Sequence, residues 1–184
     1  SSTSECRAYG SFWNCFPVHD LETPGGWLRI HEPCYSKNGS AHLQILPKLV
    51  STDSLHYQHL AMILEGSHTI YLTDGQKVVT KILAWQETQN RVYYIGTEEN
   101  DPGSRHLYTV NTLTKVSHCV SCNLSMRKNE FDVCKYNSFH LSPDLKYFVQ
   151  VCMGPTIGEV VVRRMYDASI VEIINDNQGV KEKL

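Results

Sequence analysis

Phe139-His140-Leu141-Ser142-Pro143-Asp144, continued through Leu145-Lys146 into Tyr147-Phe148-Val149-Gln150-Val151-Cys152, sets two short β-prone runs on either side of a polar turn. The same strand, turn, strand pattern recurs upstream. Glu32-Pro33-Cys34-Tyr35-Ser36-Lys37-Asn38-Gly39 precedes His42–Leu46, and Ala84–Asn90 precedes Arg91–Gly96. A period of roughly 50 residues is the sequence mark of propeller blades, where each four-stranded sheet buries its faces against the next. Helical periodicity is nearly absent. Short runs rich in Val, Ile, Tyr, Phe and Thr instead lie between Gly, Asn, Asp and Pro clusters. Strands are expected at His42–Leu46, His59–Leu64, Thr69–Leu72, Lys81–Trp85, Arg91–Gly96, His106–Val110, Asn137–Leu141, Tyr147–Cys152, Glu159–Arg164 and Ile170–Ile174. A weak helical candidate near Val50–Tyr57 has no clean apolar face. The expected fold is all-β, a partial β-propeller of about three four-stranded antiparallel blades. Alternation alone fits a β-sandwich of similar strand count as well.

With 184 residues the chain suits one domain, or part of a larger one. Its 17 basic and 19 acidic residues form no run of either sign, so nothing marks a nucleic-acid or polybasic membrane surface. No stretch approaches the roughly 20 apolar residues that span a bilayer, so no direct membrane insertion by this segment is expected. Ser1-Ser2-Thr3-Ser4-Glu5 lacks an initiator Met and a signal-type apolar core, which is expected of a piece excised from a longer chain. Seven cysteines, with glycosylation patterns at Asn38-Gly39-Ser40 and Asn123-Leu124-Ser125, favour an oxidising, extracellular or cell-surface setting. An odd count leaves one cysteine unpaired or paired elsewhere.

Four stretches in order carry a family resemblance. They are Trp27 through Glu32-Pro33-Cys34-Tyr35-Ser36-Lys37-Asn38-Gly39; Val79–Trp85 with Val92–Glu99; Arg105–Tyr108 with Cys119-Val120-Ser121-Cys122; and Cys134 through Ser138-Phe139 with Cys152-Met153-Gly154-Pro155. Together they cover nearly the whole chain, and they resemble the propeller of the dipeptidyl peptidase IV family, whose members include catalytically silent relatives that accompany potassium channels. The resemblance implies that residues 1–184 are a segment of the N-terminal propeller. It also implies pairing of Cys6 with Cys15, Cys119 with Cys122 and Cys134 with Cys152, leaving Cys34 as the odd thiol. Bridges closing such short loops remove limited unfolded-state entropy, about 3 kcal/mol for a loop of about 15 residues, so fixing strand ends is their larger role. Zinc or redox chemistry at Cys119 and Cys122 would need further ligands or a helix start. No second Cys-x-x-Cys exists, and His118 is adjacent rather than convergent.

No catalytic residue is expected in this chain. A Gly-x-Ser-x-Gly elbow is absent, and Gly66-Ser67-His68 and Gly103-Ser104-Arg105 read as turns. Asp53, Ser54 and His56 read as a solvated polar loop. The nine histidines form no His-Glu-x-x-His pattern, so no metal site is expected. The resemblance places the catalytic serine, aspartate and histidine in a later α/β-hydrolase domain, and the glutamates that grip the substrate amine before Ser1. It leaves Arg29, in the Leu28-Arg29-Ile30-His31 turn, as the one candidate substrate-facing residue. No cofactor is implied. Implied partners are peptide substrates, met through the hydrolase domain, and a second copy of the parent as a homodimer. The implied activity is removal of N-terminal X-Pro or X-Ala dipeptides, with the propeller restricting access. A silent binding partner and an unrelated secreted binding propeller are the alternatives.

Overall fold

The computed structural model describes residues 2–9, 11–20, 31–51, 55–64, 68–126, 134–155 and 157–183. Strands β1 (Ser2–Tyr9) and β2 (Phe12–Asp20) form an antiparallel hairpin of their own. The rest is organised as three four-stranded antiparallel meanders. The first holds β3 (Cys34–Tyr35), β4 (Ala41–Val50), β5 (Leu55–Leu64) and β6 (His68–Tyr71). The second holds β7 (Val79–Gln86), β8 (Arg91–Glu98), β9 (Asp101–Asn111) and β10 (Ser117–Cys119). The third holds β11 (Tyr136–Leu141), β12 (Tyr147–Gly154), β13 (Val160–Arg164) and β14 (Ile170–Asn175). A short helix, α1 (Gln178–Lys181), follows. Every expected strand is present. Of the helical candidate at Val50–Tyr57, the described ends are strand: Val50 closes β4 and pairs with Leu55, which opens β5, and residues 52–54 lie outside the described residues. Gly103-Ser104-Arg105 is not a turn either, but lies inside β9, just past the turn at Glu99-Asn100.

The period seen in the sequence is the first hairpin of each meander, and its turn chemistry explains the recurrence. In Ser36–Ala41, Asn38 Oδ1 accepts from the Ser40 amide and Ser36 Oγ accepts from the Ala41 amide. In Ser142–Tyr147, Asp144 Oδ1 accepts from the Lys146 amide and Ser142 Oγ from the Tyr147 amide. The fourth residue of each turn is left-handed, with φ 73° at Gly39 and 56° at Leu145. Asx and serine side chains thus supply the acceptors that tight turns need, and a left-handed residue turns the chain back into the next strand.

Packing is decided by the middle meander. Along Val92-Tyr93-Tyr94-Ile95 all four residues are buried, because both faces of the sheet are covered. Val92 and Tyr94 join Leu43, Ile45, Leu60 and Leu72 of the first meander. Tyr93 and Ile95 point the other way, to Phe139 and Phe148 of the third. Period-two alternation therefore assigns successive residues to two different cores, each fully buried aliphatic or aromatic side chain contributing about 1.5–3 kcal/mol. A seam also joins the second and third meanders: β11 meets β9 in parallel at Tyr136 and Arg105, and the Arg105 amide donates to the Lys135 carbonyl at 2.8 Å.

Candidate functional site

Among the described residues, chemistry-bearing groups gather mainly where the second and third meanders meet. Cys119 and Cys122 are bonded to each other at the end of β10, and the Cys122 amide donates to Cys119 Sγ at 3.0 Å. Antiparallel register sets Cys119 against Tyr108, which brings His106 of β9 beneath the pair. His106 Nδ1 lies 3.3 Å from Ser121 Oγ, which also accepts from the Leu107 amide. The two sulfurs and His106 are close enough to share a metal ion, but sulfurs bonded to one another are not the thiolates that zinc takes. The histidine that converges is His106, not the neighbouring His118. It was hidden in the sequence because a strand register, not a local spacing, delivers it. Burial holds the His106 imidazole below its ordinary pKa, and pushes the Tyr108 phenol up to about 12.

Below this pair runs a buried polar chain. Arg163 is 3% exposed, and its hydrogen-bond partners among the described residues are neutral oxygens. It donates through Nε to Gln150 Oε1 at 2.8 Å, through Nη1 to the Ala168 carbonyl at 2.9 Å, and through Nη2 to the Ser125 carbonyl at 2.5 Å. Gln150 Nε2 donates to Asn137 Oδ1, and Asn137 Nδ2 donates in turn to the carbonyls of Arg105 and Cys134. Burial lowers the Arg163 pKa to about 10, so the guanidinium stays charged; its three donated bonds tie β13 to β12, the Ala168 turn and the Ser125 loop, and Asn137 carries the chain on to β9. Cys134 and Cys152 are bonded beside it, in a cluster with Met126 and Val161.

Cys6 and Cys15 are bonded across the β1–β2 hairpin, where they face each other in register. Cys34 is a free, half-buried thiol packed on the first core. Burial first and Glu87 second raise its pKa, so it behaves as a small apolar residue rather than a nucleophile. Asn38 and Asn123 are both exposed. Arg29 lies outside the described residues, as do Asp53 and Ser54, and Gly66 and Ser67. His56 is exposed at the start of β5, with no serine and carboxylate assembled around it among the described residues.

The family model described as the dipeptidyl peptidase IV N-terminal region matches residues 10–158. This chain belongs to the dipeptidyl peptidase IV family. It is 31% identical over 170 residues to the inactive dipeptidyl peptidase 10 of Rattus norvegicus, covering 88% of the chain and 20% of that protein. It is 28% identical over 171 residues to dipeptidyl peptidase 4 of Felis catus, covering 90% of the chain and 21% of that protein. With the venom dipeptidyl peptidase 4 of Apis mellifera the identity is 25% over 187 residues, covering 96% and 23%. The chain therefore spans about a fifth of the length of these relatives. Among solved structures, a candidate dipeptidyl aminopeptidase IV from Bacteroides ovatus aligns with a TM-score of 0.56 at 13% identity, over 77% of this chain and 21% of that one. TolB from Acinetobacter baumannii aligns with a TM-score of 0.53 at 12% identity, over 88% and 35%. At such identities the likeness concerns fold alone. The chain is an all-β, disulfide-bonded propeller segment of this family.

Proposed function

We propose that this chain is part of the access-restricting wall of an extracellular serine-type dipeptidyl peptidase, which removes X-Pro or X-Ala dipeptides from peptide N-termini. The observation that carries the reading is the family match over residues 10–158. Bonded cysteines, three pairs among the described residues, support an oxidising compartment. Exposure of Asn38 and Asn123 supports glycosylation there. In this reading the segment supplies no nucleophile. It packs meander on meander into a rigid wall that keeps folded proteins from a hydrolase domain elsewhere in the parent, and Arg29 contributes to binding longer peptides remote from the chemistry.

The test is hydrolysis of Gly-Pro p-nitroanilide by the full-length parent secreted from a eukaryotic host. Turnover is expected, and Arg29→Ala is expected to raise KM for longer peptides while sparing the dipeptide anilide. Absence of turnover by a correctly folded parent rejects the peptidase reading. The second reading, a catalytically silent binding protein such as an ion-channel auxiliary subunit, is favoured by the 31% identity to a relative named inactive. A parent whose nucleophile elbow lacks serine decides for it.

A further inference from the structure

Three turns converge on one open cleft of about 570 Å³ between the second and third meanders. They are the turn from β7 to β8, the turn from β11 to β12 and the turn from β13 to β14. Each delivers a cation to the cleft: Arg91, Lys146 and Arg164, all exposed. The carboxylates nearby are turned into their own loops. Asp144 accepts from Ser142 Oγ at 2.7 Å and from the Lys146 amide, and pairs with Lys146 Nζ at 3.3 Å. Asp167 accepts from the amide and the hydroxyl of Ser169, and more weakly from the Tyr166 side chain, with Arg164 near enough to favour its charge without an ion pair. No ion pair holds Arg91 or Arg164 among the described residues. The cleft also presents aromatic surface. Tyr166 is 82% exposed and Tyr147 42% exposed, while Tyr93 is buried at 3% in the wall behind them.

An 82% exposed tyrosine beside two exposed arginines that no salt bridge among the described residues holds is placed for binding, since tyrosine and arginine are the residues that dominate binding surfaces. We infer that this cleft is a docking site for an acidic, extended peptide segment of a partner protein. The guanidinium groups of Arg91 and Arg164 take its carboxylates, in the bidentate geometry that arginine offers, and the Tyr147 and Tyr166 rings cover its backbone and apolar stems. The inference is independent of whether the parent is an active peptidase, since no catalytic group takes part.

The test uses the full-length parent and a fluorescein-labelled dodecapeptide of alternating Glu, Asp and Tyr, read by fluorescence anisotropy. Saturable binding is expected, weakening as salt rises from about 50 to about 300 mM. The double variant Arg91→Glu, Arg164→Glu is expected to lose at least about tenfold in affinity, and Tyr166→Ser about threefold. Lys115→Glu, at a different surface, is expected to bind as the wild type does. Unchanged melting of the variants confirms that the fold is intact; if the double variant does not fold, Lys146→Gln and Tyr166→Ser carry the same comparison. The inference is overturned if the wild type shows no saturable binding, or if affinity ignores these substitutions. It is equally overturned if a heparin-derived hexasaccharide binds in an Arg91- and Arg164-dependent way while the peptide does not, which assigns the cleft to sulfated glycan.

Discussion

Arg163 shows how one buried charge is made tolerable: its partners among the described residues are neutral oxygens, and the cost of burial appears as a pKa lowered to about 10. Replacing it with Met removes the charge but strands Gln150 Oε1 and the carbonyls of Ala168 and Ser125. Since each unsatisfied buried acceptor costs about 1–3 kcal/mol, Arg163→Met is expected to destabilise the protein by about 3 kcal/mol or more, read from the urea midpoint. His59 is a buried histidine whose charged form is disfavoured by desolvation. Thr73 Oγ1 accepts from the Leu60 amide and lies 3.0 Å from His59 Nδ1, and His59 Nε2 donates to the Gly75 carbonyl at 3.1 Å. Burial, the largest cause, holds the imidazoles of His59 and His106 below their ordinary value. The unfolded chain therefore binds more protons than the folded one as pH drops below about 6.5, so stability is full above that pH and declines below it. The expected result is a lower urea midpoint at about pH 5.5 than at about pH 7.5, with a shallower dependence in His59→Gln. An unchanged midpoint in the wild type rejects this account.

Hairpin turns carry the same lesson at the level of elements. Asn90, Lys115, Leu145 and Ala168 all sit at positive φ, closing a meander hairpin in the place that Gly39 fills in the first. A left-handed residue with a Cβ is strained by about 1–2 kcal/mol, partly offset for glycine by its larger unfolded-state entropy. Lys115 has φ 59° and an exposed side chain, so Lys115→Gly is expected to stabilise the protein by about 0.5 kcal/mol, detectable as a higher melting temperature. A loss of stability shows that the lysine side chain matters more than the backbone strain. These turns also explain what was legible. The cores of the strands were readable because β-prone runs such as Arg91–Gly96 are bounded by turn residues, and the recurring hairpin was readable because Ser36-Lys37-Asn38 and Ser142-Pro143-Asp144 bring their own acceptors. The hairpin of β1 and β2 was not, since Ser2–Tyr9 is polar and Phe12–Asp20 contains Pro17. Strands β3 and β10 are too short to show a period. The stretch from Val50 to Tyr57 lost its alternation to a run of polar residues. Side-chain chains such as Asn137, Gln150 and Arg163 depend on register between strands, which no single-sequence period encodes.

For the whole molecule the decisive asymmetry is between the middle meander, covered on both faces, and the third, covered on one. Phe148, Gln150 and Cys152 of β12 face inward and are buried, while Tyr147 and Met153, of the opposite parity, are 42% and 61% exposed. Beyond them β14 is the outermost strand of its sheet, with Val171, Ile173 and Ile174 at 47%, 45% and 58% exposed. An edge strand of this composition offers unpaired amides and carbonyls together with apolar side chains, the combination that templates pairing with another chain. The 184-residue chain expressed by itself is therefore expected to self-associate, seen as a concentration-dependent mass in light scattering. Replacing apolar groups on the edge with charge opposes strand addition, so Val171→Lys with Ile174→Lys is expected to shift the population toward monomer without lowering the melting temperature, because both side chains are already exposed. A wild-type chain that stays monomeric at every concentration means that this edge is blunted in solution. Association that persists unchanged in the lysine variant moves the contact away from β14, to the face that carries Tyr147 and Met153.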